Sequence, residues 1–165
     1  MTLIAHFDQR FSQPEASAPP WSEVSVLLTE AELYWITTVR GDGSPHVTPL
    51  VGLWHQEAFV FCTGPAEQKA RNLESNTAVA IATGANTWNA GHDVVVEGTA
   101  ERIIETPALR TLAEAYFGKY GEDWKFEPSE GGFGVGEEFA LVYRVVPSKV
   151  LSFMKNPHGQ TRYAR

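Results

Sequence analysis

The chain has 165 residues, 43% hydrophobic and 20% charged, which suits one domain with a real core and is too short for two ordinary ones. A formal charge of −7 excludes a nucleic-acid surface as the main role, because counterion release requires clustered Lys and Arg. Cys62 is the only cysteine, so no intramolecular disulfide can form; with no signal-peptide pattern and no apolar run of about 18 residues, the expectation is a cytoplasmic protein with no membrane partner.

Residues 1–21 carry Pro14, Pro19 and Pro20 among small or polar residues and predict an extended, poorly packed arm, with residues 22–165 as one domain ending in a tail. Ser22 to Ala31 predicts an amphipathic helix, its apolar Val24, Leu27, Leu28 and Ala31 recurring at spacings of three and four. "YWITTVR" and "PHVTPLVGLW" are rich in β-branched and aromatic residues around the turn "GDGS", and predict a hairpin. A second hairpin runs from Val51–Trp54 through "HQE" into "AFVFCT".

"TGPAEQKARNLESN" follows. Pro65 suits the first helical position and Gly64 the cap before it, so a helix is predicted from there. Free N–H groups at that end and a nearby ammonium describe a resting place for a phosphate. On the helical wheel Ala66, Ala70 and Leu73 form the packing stripe, and Lys69 and Asn72 share a solvent-facing side. Arg71 lies about 200° from Lys69, which ranks Lys69 above it as a phosphate ligand. "AVAIAT" and "DVVVEGTAERIIE" predict strands, Pro107 opens a helix reaching about Tyr120, and "FALVYRVVP" and "KVLSF" predict two more strands before the tail "MKNPHGQTRYAR". The pattern is mainly β with a few helices, and short hairpin links favour a closed or partly closed antiparallel barrel.

Other motifs carry less. "GGFGVG" has no strand before it and no helix after it, so it reads as a flexible surface loop and not as a dinucleotide loop. The five histidines offer no zinc spacing, and Cys62 in an apolar strand reads as a small buried hydrophobe.

Taken in order, "SPHVTPLVGLWHQEAFVFCTGPAEQKARNLESNTAVAIATG" followed by "DVVVEGTAERI" resembles the pyridoxamine 5'-phosphate oxidase-like family of flavin and deazaflavin split barrels. The resemblance spans about Leu27 to Met154. It implies a six-stranded antiparallel split β-barrel binding FMN or coenzyme F-420, with the "TGPAEQKARNL" form closer to the deazaflavin branch, and hydride transfer to a small organic substrate. Flavin or haem binding without turnover is the alternative, and a non-catalytic interaction module on the same fold is the third reading. By position, Thr48, Pro49, Leu50 and Val51 would pass the cofactor ring, Phe61 and Thr63 would lie near it, and Lys69 with Asn72 would hold the phosphate. The resemblance also implies a homodimer with the cofactor between two barrels, and gives Gln160, Arg162 and Tyr163 of the tail a place beside ring or phosphate. No catalytic residue is assigned; His46 and Tyr163 are the candidates for protonating a substrate, and the substrate-binding Arg and His pattern of true pyridoxamine phosphate oxidases is missing.

Overall fold

Runs of alternating polar and β-branched or aromatic residues make most of this chain strand, and the computed structural model describes residues 3–164. β1 (Ile4–Phe7) precedes α1 (Trp21–Glu30). β2 (Tyr34–Val39) and β3 (Pro45–Leu50) form one hairpin, β4 (Leu53–His55) and β5 (Ala58–Thr63) the next. α2 (Gln68–Ser75), β6 (Ala78–Thr83), β7 (His92–Ile103) and α3 (Thr106–Tyr120) follow. A small hairpin of β8 (Pro128–Ser129) and β9 (Gly132–Phe133) leads to β10 (Leu141–Met154) and β11 (Gly159–Ala164). No described helix is long and apolar enough to cross a membrane.

One antiparallel sheet holds nine of the strands, in the order β1-β11-β10-β7-β6-β2-β3, with β5 paired to β10 and β4 to β5. β10 is where the sheet divides. One edge of it pairs with β7 from Val142 to Met154; along the other, Leu141–Val145 pair with β5 and Lys149–Met154 pair with β11. Ser148 is the extra residue of a bulge between Pro147 and Lys149, and a bulged strand bends and twists. Proline is tolerated there because the ladder is already broken. Opposite the bulge, a Cβ on Gly98 would sit 2.2 Å from the Val146 carbonyl oxygen, so only glycine allows the approach.

The bend lets the sheet curl until β2 and β5 meet, with the Tyr34 and Phe59 rings 4.7 Å apart. Inside lie Val24 and Leu28 of α1 with Ile36, Ile81, Val96, Val145, Val150 and Tyr163. Each such fully buried apolar side chain contributes about 1.5–3 kcal/mol of transfer free energy. A second cluster, under α3, joins Leu109, Leu112 and Tyr116 to Val60, Val142 and Phe133.

Four expectations are corrected. The arm is no loose segment: β1 joins the sheet edge and Pro19 accepts a 2.5 Å hydrogen bond from the Tyr163 hydroxyl. The tail is β11, held between β1 and β10. The two C-terminal strands are one, because the bulge bends β10 without ending it. "GGFGVG" is packed, with Phe133 fully buried and its ring stacked 4.6 Å from Phe126.

Deleting Gly159 to Arg165 is therefore expected to remove a sheet-interior strand and abolish cooperative unfolding. Circular-dichroism melting checks this, and a truncated chain with a native-like transition would show β11 to be dispensable.

Candidate functional site

After β5, Gly64 and Pro65 turn the chain and α2 starts at Gln68, three residues later than Pro65. The reason is Glu67, which stays extended at the N-cap (φ −71°, ψ 149°) while its carboxylate accepts the Gly64 N–H at 2.8 Å and the Lys69 ammonium. Burial pushes the Glu67 carboxyl up, but the hydrogen bonds from Lys69 and Gly64 outweigh it and leave the group below its usual range. The buried face of α2 becomes Lys69, Ala70, Asn72 and Leu73, with Ala66 and Arg71 exposed. Lys69, expected to face solvent, is 8% exposed.

Asn72 is 3% exposed and committed: its amide donates to Thr38 Oγ1 at 2.8 Å, and its carbonyl oxygen accepts from Gln68 at 2.7 Å. It positions α2 against β2 and corrects the expectation that it holds a phosphate directly. His46 Nδ1 lies 3.5 Å from the same Thr38 hydroxyl. Desolvation first, then the charges of Arg40 and Lys69, hold the His46 imidazole below its ordinary pKa, so it is neutral at pH 7. Thr48 follows two residues on along the same face of β3, its hydroxyl buried without a hydrogen-bond partner. Thr63, 2% exposed, closes the cluster from the end of β5.

Lys69, Thr63 and the Gly64 N–H thus gather around the Glu67 carboxylate where β5 leads into α2, and His46 of β3 lies close enough to feel the Lys69 charge, with Thr48 two residues further along that strand. These are donors suited to an oxyanion, and an orphaned hydroxyl is what a missing polar ligand leaves behind. Burial pushes the Cys62 thiol up to about 12, which removes it as a nucleophile. Among the described residues no three His, Cys, Asp or Glu side chains converge on a metal site.

The remaining candidates scatter. Leu50 packs against the main core and Val51 against the cluster under α3. Phe61, expected near the ring, is fully buried and stacked 5.3 Å from Tyr143, so it is a core residue. Tyr163 is corrected likewise: it is 1% exposed inside the curl. Pro49 and Arg162 lie on the outer face, in one register row running Pro49, Trp35, Ala82, Val95, Leu151, Arg162 and His6. Five interstrand steps separate Pro49 from Arg162, about 24 Å along the sheet. Gln160 and Arg162 line a groove of about 490 Å³ with Asp8 and Arg10, away from Lys69. The sequence reading missed Glu67, Thr38 and Gln68; an acidic residue two before a buried lysine was the one available signal.

The family model for pyridoxamine 5'-phosphate oxidase matches residues 21–137. No curated protein shows significant similarity to the chain. Among solved structures, a conserved hypothetical protein from Mycobacterium tuberculosis is 20% identical, with 86% of this chain and 89% of that one covered at a TM-score of 0.69. A haem storage protein from Vibrio cholerae is 18% identical, covering 81% and 93% at 0.63. An FAD-binding protein from Mycobacterium smegmatis is 16% identical, covering 88% and 97% at 0.59. At such identities the likeness is one of fold.

His46 and His92 both have lowered pKa values, burial being the first cause in each. The unfolded chain therefore binds more protons than the folded one just below pH 6.5, and stability rises with pH through that window. Urea unfolding at pH 5, 6 and 7 should show the rise, and His92→Gln should flatten it; a pH-independent midpoint would contradict the assignment.

Proposed function

The chain belongs to the pyridoxamine 5'-phosphate oxidase family, and we propose that it is an oxidoreductase holding a flavin or deazaflavin by its phosphate at Lys69, with coenzyme F-420 as the hydride carrier and FMN as the alternative. The observation that carries this reading is the buried Lys69 ammonium gathered with the Gly64 N–H on the Glu67 carboxylate, in a chain that is otherwise acidic. Bound there, the cofactor supplies the hydride chemistry. The chain's own residues hold and orient: Lys69 and the Gly64 N–H take the phosphate, Thr48 and Thr63 offer hydroxyls, and Asn72 fixes the helix that presents Lys69. The apolar core behind β3 excludes water, and no side chain is required as a catalytic acid.

Glu67 stands on the donors that a phosphate needs. Its side chain is half exposed, so it can rotate into solvent once a ligand anion takes its place beside Lys69.

We further propose a homodimer in the cytoplasm. Gln160 and Arg162 line a groove that does not include Lys69 of their own chain, and an isologous contact would bring the partner's copies toward the cofactor. The exposed Val47 and Pro49 on the outer face of β3 support such a contact. A second reading, haem binding without turnover, draws on His46, whose neutral imidazole is the form that ligates iron; haemin titration would then give a Soret shift lost in His46→Ala.

Fluorescence titration with coenzyme F-420 and with FMN tests the main reading. Lys69→Ala is expected to weaken binding by about 1–3 kcal/mol, the cost of a charge-assisted hydrogen bond, Glu67→Gln to strengthen it, and Arg71→Ala to leave it unchanged. Tighter FMN binding moves the assignment to the flavin alternative, and no binding of either removes it. Light scattering should give the mass of a dimer; a cofactor-loaded monomer would overturn the shared groove.

A further inference from the structure

Trp88 is 94% exposed, an unusual position for an indole on a well-built loop. The loop between β6 and β7 is held from one point. The Lys155 ammonium donates to the Ala85 carbonyl at 2.5 Å and the Thr87 carbonyl at 2.7 Å, and pairs with Asp93 at 2.8 Å. Its backbone N–H takes the Gly91 carbonyl at 3.1 Å. Within the loop Thr87 Oγ1 donates to the Ala90 carbonyl at 2.5 Å. Gly84 admits the Asp93 side chain, since a Cβ there would lie 2.1 Å from Asp93 Oδ1. So many restraints on one short loop fix the backbone that carries Trp88.

It stands over a groove of about 910 Å³ whose floor is the outer face of the sheet: Trp35, Ala82 and Val95, which are neighbours in register, with Leu33 at the rim. Trp35 is 48% exposed. The two charges lining the groove, Asp93 and Lys155, neutralise each other, and all three ammonium donors of Lys155 are used. Two indoles, small apolar side chains between them and no spare charge describe a cradle for a flat, uncharged aromatic molecule; Thr83, Asn86 and Thr87 of the lining offer an anion no cation, and an aliphatic chain would waste the indole faces.

We propose that this groove binds a planar, uncharged polycyclic aromatic compound, stacked on Trp88 above the Ala82–Val95 floor. This goes beyond the cofactor assignment and does not depend on it, because Lys69 takes no part. Where both hold, the groove defines the substrate class.

Calorimetric titration of the full chain with 2-naphthol, and with decahydro-2-naphthol as the saturated control, separates stacking from bulk hydrophobicity. One 2-naphthol per chain is expected, with the control at least several-fold weaker and Trp88→Ala weakening 2-naphthol about tenfold. Trp88 is solvent-exposed, so the variant should keep the wild-type melting transition, and Lys69→Ala should leave 2-naphthol binding unchanged. Equal affinity for the two compounds, or an unaffected Trp88→Ala, overturns the proposal. So does absence of binding combined with dissociation of an oligomer in Trp88→Ala by light scattering, which would make the groove a contact between copies. Failure of 2-naphthol to bind also overturns the proposal, and with retained F-420 or FMN binding it leaves the cofactor reading intact.

Discussion

The bulge at Ser148 is the feature on which the other elements depend. A straight β10 would offer one continuous edge to one partner; bent, it gives Leu141–Val145 to β5 and Lys149–Met154 to β11 while keeping β7 along its other side. The bend requires the close approach of Gly98 to Val146, and Ser148 fastens it by donating to the Glu97 carbonyl at 3.1 Å. Once β5 is carried away from β11, its Phe59 can reach Tyr34 of β2, and the core closes by side-chain contact. Lys119 of α3 reinforces the junction, donating to the Tyr34 hydroxyl at 2.9 Å and the Gly52 carbonyl at 3.1 Å. Burial holds that lysine down to about 8, so the charge is retained at neutral pH but weakly.

The candidate site follows from the same closure. α2 bridges the end of β5 and the start of β6, so its buried face meets β2 where the curl leaves a mouth. Asn72 could not sit there unpaired, since a buried amide without partners costs about 1–3 kcal/mol. Its bonds to Thr38 and Gln68 solve this and also fix the helix rotation that turns Lys69 inward. Position and chemistry are thus set by one pair of hydrogen bonds.

How far the sequence discloses this depends on where each signal resides. α1, β2, β3, β5, β6 and β7 are legible because their periodicity reflects burial of their own residues. β1 and β11 are not: "IAHF" and "GQTRYA" are short and partly polar, and their strand character comes from pairing with each other and with the second half of β10. The glycine-rich loop hides its packing in contacts made at a distance, Phe133 meeting Tyr116 at 6.2 Å and Phe126 at 4.6 Å. The α2 start misleads because Gly64–Pro65 is good capping chemistry that loses to the Glu67 carboxylate, and three residues of delay rotate the wheel. Ala66 leaves the core and Lys69 enters it. The family resemblance survives these errors because it rests on the order of elements, which local mistakes do not alter.

The Lys69–Glu67 pair also constrains what the site can bind. An ammonium taken out of water needs an anion beside it, and in this acidic chain the nearest is tethered two residues away. A ligand must displace an intramolecular carboxylate whose effective concentration is on the order of millimolar or more. A monoanion making the same contacts gains little from the exchange. A phosphate monoester dianion, as in FMN, brings twice the charge and three acceptor oxygens, enough to engage Lys69, the Gly64 N–H and a neighbouring hydroxyl together, while Glu67 recovers its hydration in solvent. The phosphodiester of coenzyme F-420 is itself a monoanion, so this competition weighs toward FMN, the alternative carrier. Selectivity for a phosphate over a carboxylate therefore comes from the competitor built into the chain as much as from the donors themselves.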